Sequence, residues 1–249
     1  MNFVQFFRKK MLGSRWIEVP ELADDTLVQS SQQADQGLVM GMRLAVLEDQ
    51  VAVILAADRL VGFFVPGAYT LEAAKMPGLT ADPKYDWLYP AEVLFLNLRP
   101  FKVQSWTPAK PVLARDPDFG LVQLAVNGMY EAQITDTALF VQEIIIKRGW
   151  REWSFIDQWL SGRLSELIIS LTARQQLQLA RLGKYKERVC QIMLQELQQE
   201  FKAVGVTINS LDMQQFELHS TVRNLLQKRP CLQADIAAYN RAIMRSLLG

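Results

Sequence analysis

The apolar periodicity of this chain changes at Asp136, and the change separates a run of strands from a run of helices. Before it the repeat is two. QVAVILA (50–56), LVGFFV (60–65) and AEVLFLNLR (91–99) read as strands, with AADR as a hairpin turn and Pro66-Gly67 as a second turn. In LVQLAVNGMYEAQIT (121–135), Val122, Leu124, Val126, Gly128 and Tyr130 share one face, and Gln123, Asn127 and Gln133 the other. RWIEV (15–19) and TLVQSS (26–31) read as shorter strands, and residues 72–90 as loop. After Asp136 the repeat is helical. Asp136 is an N-cap, DTALFVQEIIIKR a helix, and Gly149 its end. A second helix starts near Trp153, striped by Ile156, Leu160, Leu164, Leu167, Ile168 and Leu171. A third runs from about Leu182 to Val204 with Tyr185, Val189, Ile192, Met193, Leu197 and Phe201 on one stripe, and Gly205 ends it. VTINSLDMQQFEL (206–218) returns as a strand whose facing the pattern leaves open, and 221–248 is helical again, interrupted at Pro230.

Segregated strands and helices define an α+β chain. One antiparallel sheet is expected to pack against the helices that begin near Asp136 and Trp153, with Ile156, Leu160 and Leu164 on the Val122–Leu124–Val126 face. The strand near 206–216 is expected to join the same module, and a short C-terminal helical extension to follow. The organisation read from the chain is an amphipathic segment at 1–12, one α+β domain over 13–218, and the extension over 219–249.

Composition narrows the function. Lys plus Arg is 27 and Asp plus Glu is 26, a balance that argues against nucleic acid as partner. The two cysteines, Cys190 and Cys231, form no Cys-x-x-Cys, so no zinc ribbon is expected within this sequence. Both read as small apolar helix residues, and a reducing cytoplasm fits them. No apolar run is long enough to span a bilayer, and MNFVQFFRKKMLG lacks the order of a secretory signal.

The search for reactive groups assigns none. Asp118-Phe119-Gly120 matches the metal-binding tripeptide of protein kinases, but no glycine-rich loop, strand lysine or His-Arg-Asp loop accompanies it. It reads as part of a loop before a strand. His219 is the only histidine and stands beside Glu217 without a ligand cluster. Trp153 and Trp159 read as core. No catalytic, cofactor-binding or metal residue is expected, and no cofactor.

RLAVLEDQVAVILAADRLVGFFVPGAYTL (43–71) resembles the opening hairpin of the SPFH domain shared by stomatins, prohibitins and flotillins. AEVLFLNLRPF and SWTPAKPVLARDPDFGLVQLAVNGMYEAQITD follow the order of a bacterial, virion core protein-like branch. The likeness covers about 38–218 and is sharpest in Pro-Gly-x-Tyr-Thr-Leu (66–71) and Arg-Asp-Pro-x-Phe-Gly (115–120). Val65 departs from it, standing where that branch usually has Gly. The resemblance implies an SPFH-type fold and a non-enzymatic scaffold. Such a scaffold is a homo-oligomer, peripheral to the cytoplasmic face of the cell membrane, that organises proteins or lipids there.

Two surfaces are then expected to carry the function. Phe3, Phe6 and Phe7 are placed in lipid, with Arg8, Lys9 and Lys10 on an anionic membrane surface. Ile236, Tyr239, Ile243 and Leu247 repeat at helical spacing and need a cover, supplied by a second copy or by the chain itself. A membrane protein is the other partner the resemblance admits; nucleic acid is not expected. The alternative reading is a soluble structural, assembly or adaptor protein without lipid contact, which would bury the N-terminal phenylalanines in a core or a partner.

Overall fold

Residues 50–64 form the hairpin their alternation predicts. Strands β5 (Gln50–Ala56) and β6 (Arg59–Phe64) pair antiparallel from Ala52↔Phe64 to Ala56↔Arg59, with a bulge between Ile54 and Leu55. The turn residues Ala57 and Asp58 have φ of +47° and +55°. Two positive φ values across a two-residue turn match the right-handed twist of the flanking strands, the I′ geometry that glycine or asparagine usually supplies. The computed structural model describes residues 16–19, 22–23, 26–31, 37–108, 112–116, 120–174 and 182–220. Within these the remaining early strands are β1 (Trp16–Ile17), β2 (Val28–Ser30), β3 (Leu38–Val39), β4 (Arg43–Val46), β7 (Gly67–Thr70), β8 (Leu88–Tyr89) and β9 (Glu92–Asn97).

The described residues divide into two compact units. The first holds those up to Phe101, with Gln133–Phe155 and Lys202–Thr207. Its central sheet has the order β2-β9-β5-β6, antiparallel throughout. All but the last residue of β5 are buried, because both faces of the sheet are covered. One face gives Ala52, Ile54, Val93 and Phe95 to a core shared with Ile17, Leu44, Leu71 and Met76. A three-stranded sheet, β1-β4-β7, and the β3-β8 pair contribute to this core. The β1–β4 pair is parallel.

Helix α1 packs against β6. It begins as Thr137–Phe140, with the Asp136 carboxylate accepting the Leu139 N–H at 3.0 Å. It then widens to a π-helix over Val141–Ile146. The sequence predicts a continuous α-helix here. The wider turn brings Phe140, Val141, Ile144 and Ile145 all to the buried side, which a regular α-turn would spread over more of the circumference.

The second unit holds 102–132, 156–201 and the described residues from Ile208. The long strand β12 (Gly120–Ile134) pairs with β10 (Phe101–Trp106), β11 (Val112–Asp116) and β13 (Val206–Leu218). Val122, Leu124, Val126 and Tyr130 are buried, as the alternation predicts, while Gln123 and Asn127 on the opposite face are half-buried. Helix α2 (Trp153–Arg174) buries its whole predicted stripe, Ile156 to Leu171. Helix α3 (Leu182–Lys202) buries Val189, Met193, Leu197 and Phe201, and leaves Tyr185 and Ile192 half-buried. Trp159 stacks on Phe201 at 4.3 Å, and Arg163 reaches from α2 to Glu200 of α3 at 2.9 Å. Each stripe residue contributes about 1.5–3 kcal/mol on burial, against at most about 1 kcal/mol for a half-exposed ion pair.

Three differences from the sequence reading follow. The strands divide among four sheets rather than one. Helix α1 falls in the first unit, whereas α2 from Ile156 and all but the last residue of α3 fall in the second. The facing left open in 206–218 has a physical cause: β13 changes phase. Val206 and Ile208 are buried, then Met213, then Phe216 and Leu218. The shift occurs opposite Gly128, where an added Cβ would lie 2.0 Å from the Asp212 carbonyl oxygen and 2.7 Å from Trp106 Nε1. Gly128 lets the bulging strand and the indole approach the β12 backbone.

Two glycine substitutions of opposite sign test these points. Gly128→Ala forces backbone against backbone and is expected to destabilise the protein by about 3 kcal/mol or more. Ala57→Gly relieves a left-handed alanine and is expected to stabilise it by about 0.5–1 kcal/mol. Urea midpoints at constant m-value measure both.

Candidate functional site

A connected cluster of polar side chains sits where the N-terminal strands join the central sheet. Gln50 and Asn97 are cross-strand neighbours in β5 and β9, each 1% exposed. An amide at this depth must find partners. Asn97 Nδ2 donates to the carbonyls of Ala23 (3.3 Å) and Thr26 (3.1 Å), while its Oδ1 accepts the Arg99 N–H at 3.0 Å. The Arg99 guanidinium donates to the Leu22 carbonyl and pairs with Asp49 at 2.9 Å. Gln50 Nε2 donates to the Val19 carbonyl at 3.3 Å; its Oε1 is buried with no partner among the described residues. Together these side chains fasten the carbonyls of Val19, Leu22, Ala23 and Thr26 to the sheet. Their lone pairs and protons are spent on backbone, so the cluster anchors a segment rather than doing acid–base work.

Beyond this clamp lies an open sheet face. Arg43 pairs with Trp16 in the parallel β1–β4 register and with Thr70 of β7, and Ala45 pairs with Ala68. Ile17, Leu44 and Val46 point into the core, so Trp16, Arg43, Ala45, Ala68 and Thr70 form the outward face. Trp16 is 37% exposed, with the Arg43 guanidinium carbon 5.4 Å from its ring centroid. Sequence reading missed both sets. The signals were a glutamine and an asparagine at the ends of apolar runs, and a tryptophan followed by Ile-Glu-Val alternation.

The residues singled out from the sequence are distributed as follows. Phe3, Phe6, Phe7, Arg8, Lys9 and Lys10, and likewise Ile236, Tyr239, Ile243 and Leu247, lie outside the described residues, as do Cys231 and Asp118-Phe119. Gly120 opens β12 in register with Asp116. His219 follows β13, its N–H bonded to the Gln123 carbonyl at 3.0 Å. Trp153 stacks on Phe101 at 4.7 Å. Cys190 is buried on α3, and burial pushes its thiol pKa up, so the unreactive protonated form is favoured. Among the described residues no group of three or more His, Cys, Asp or Glu is placed to hold a metal ion.

Two expectations follow. Asn97→Leu strands two carbonyls and an N–H and should cost about 2–4 kcal/mol, whereas Gln50→Leu removes an orphaned oxygen and should stay within about 1 kcal/mol. Urea unfolding of the two variants compares them directly. In a Cys231→Ser background, Cys190 should alkylate slowly in the native protein and fully in denaturant. Because its folded pKa lies above the unfolded value, the Cys190 contribution is complete below the unfolded thiol pKa and is lost as pH rises toward the folded one. Stability measured against pH reads that loss at alkaline pH.

Compared with known proteins, the chain matches the family model of the SPFH domain-Band 7 family over residues 30–234, which takes in parts of both units. No curated protein matches it.

Proposed function

The chain belongs to the SPFH domain-Band 7 family, and from that premise we propose that it is a non-enzymatic, membrane-associated oligomeric scaffold organising proteins or lipids at the cytoplasmic face. The observation that carries this reading is the family match across most of the chain, for members are generally membrane-associated and scaffold-like. Among the described residues no helix is long and apolar enough to cross a membrane. On this reading attachment is therefore peripheral. Residues 1–12 supply it: Phe3, Phe6 and Phe7 enter the interface while Arg8, Lys9 and Lys10 meet anionic headgroups.

The magnitudes make single-copy binding weak. Three phenylalanines bring roughly 1.5–3 kcal/mol each on full burial, and each basic residue about 1 kcal/mol near an anionic surface. Ordering and association offset much of this. Oligomerisation through Ile236, Tyr239, Ile243 and Leu247 multiplies the remainder by avidity.

Co-sedimentation with anionic and neutral liposomes, paired with mass photometry, tests both halves. The wild type is expected to pellet with anionic vesicles and to be released by salt. Deletion of residues 2–11, or Phe3→Glu with Phe7→Glu, should abolish pelleting. Ile243→Asp with Leu247→Asp should reduce the assembly to smaller species. A wild type that assembles yet pellets with no vesicle at any salt replaces this reading with the soluble assembly one.

A further inference from the structure

We propose that the open cleft at the hairpin-turn end of the central sheet docks an extended, arginine-bearing segment of a partner protein, with Asp58 and Glu92 as the seat of the guanidinium. The inference takes from the scaffold reading only that the partners are proteins. It needs neither membrane contact nor oligomerisation.

Strand register builds the cleft. Leu55 of β5 pairs with Glu92 of β9 on one side and with Leu60 of β6 on the other, and Ala56↔Arg59 closes the hairpin. Asp58 and Glu92 therefore stand at the same end of the sheet. There a cleft of about 450 Å³ opens, within the roughly 300–1,000 Å³ that ligand pockets occupy. Leu55, Leu88, Pro90 and Ala91 give it an apolar lining, and Asp58 and Glu92 are its charged residues. Both are acidic, so the complementary occupant is a cation with an apolar stem. Arg59 lies opposite Ala56, on the other face of the sheet from Leu55 and Glu92 by alternation, and does not line the cleft. No ion pair with another described residue engages Asp58.

The chain itself shows what one half of the seat takes. Arg151, just beyond α1, places its guanidinium on Glu92, with the two side chains 45% and 34% exposed. The planar fork of an arginine matches a carboxylate better than a lysine ammonium does. A partly exposed pair of this kind is weak and screened by salt. An incoming arginine can therefore displace Arg151 from Glu92 while gaining Asp58 as a second carboxylate. Arg151 is thus an internal competitor for the site. The cleft is open rather than enclosed, so a polypeptide can enter and leave it, and the methylenes of its arginine lie along the apolar lining. A small free cation would bury little of itself in so open a site.

The test uses the full chain in solution, without vesicles, and reads fluorescence anisotropy of a labelled Gly-Leu-Arg-Leu-Gly peptide. The control peptide carries citrulline at its centre, which keeps the shape and removes the charge. The arginine peptide is expected to bind about five-fold tighter than the citrulline one, with the difference vanishing at high salt. Asp58→Asn should weaken the arginine peptide about three-fold, whereas Arg151→Ala, which frees Glu92, should tighten it by about the same factor. Adding Glu92→Gln to Arg151→Ala should remove that gain. Unchanged urea midpoints show that the variants are folded. If neither the wild type nor Arg151→Ala binds the arginine peptide, or both peptides bind alike, the proposal is overturned. An Arg151→Ala chain that binds no tighter, or an Asp58→Asn chain that binds as the wild type does, removes one carboxylate from the seat and overturns it too. If agmatine, the free side chain, competes as well as the peptide, the site is one for small cations and the partner segment falls. Failure of vesicle binding or assembly in the earlier assays overturns the scaffold reading without changing these peptide measurements, so the two failures are distinguishable.

Discussion

The helical part of the chain leaves the strands and returns to them at one point, and a glycine closes that point. The Gly205 carbonyl accepts the N–H groups of Thr135 and Asp136 at 2.9 and 3.1 Å, and the Thr135 and Thr207 hydroxyls meet at 2.8 Å. Gly205 has a φ of +79°, and a Cβ there would lie 2.2 Å from the Asp136 carbonyl oxygen. Closing a loop of about seventy residues costs roughly 4 kcal/mol in its length-dependent entropy. The junction stands at the start of both α1 and β13. Asp136 is thus tied on both sides: its backbone to Gly205, its carboxylate to the first turn of the helix.

Polar side chains follow a common logic in both units. Asn97, Gln50 and Arg99 spend their hydrogen bonds on loop carbonyls in the first. In the second, Tyr130 donates to Asp157 at 2.8 Å, and Gln198 to the Ile208 carbonyl at 3.0 Å. The clamp bonds and the Tyr130 bond join elements distant in sequence, and the Gln198 bond links the consecutive α3 and β13. For a scaffold of the kind proposed, whose task is to hold a shape that other molecules read, fixed polar contacts of this kind are the relevant chemistry.

Much of this was legible in the sequence, because two periods and a few caps carry it. The alternation in 121–135 identified the buried face of β12, and the α2 stripe was buried residue for residue. Asp136, Gly149 and Gly205 mark helix boundaries by chemistry that needs no tertiary context. What could not be read depends on distant partners. The phase change in β13 arises from Gly128 and Trp106, more than eighty residues away in both cases. The π-turn of α1 packs against β6, far from it in sequence. The division into four sheets depends on strands as short as two residues, such as β1 and β8, which carry no periodic signal. Of the candidate site, the sequence pointed to segments outside the described residues, while the clamp and the Trp16 face emerged only from register.

The clamp has a mechanical consequence. Force applied along the chain ahead of Trp16 and resisted at the far end of β4 loads β1 along its hydrogen-bonded length, because the two strands run parallel. Beyond β1 the load passes to carbonyls gripped by Gln50, Asn97 and Arg99, at the ends of the two innermost strands of the central sheet and just beyond. Tension at the amino-terminal end is thereby delivered to the middle of the sheet instead of its margin. A tether built this way yields by shearing several bonds together, so its strength under load exceeds what any one of those bonds would bear.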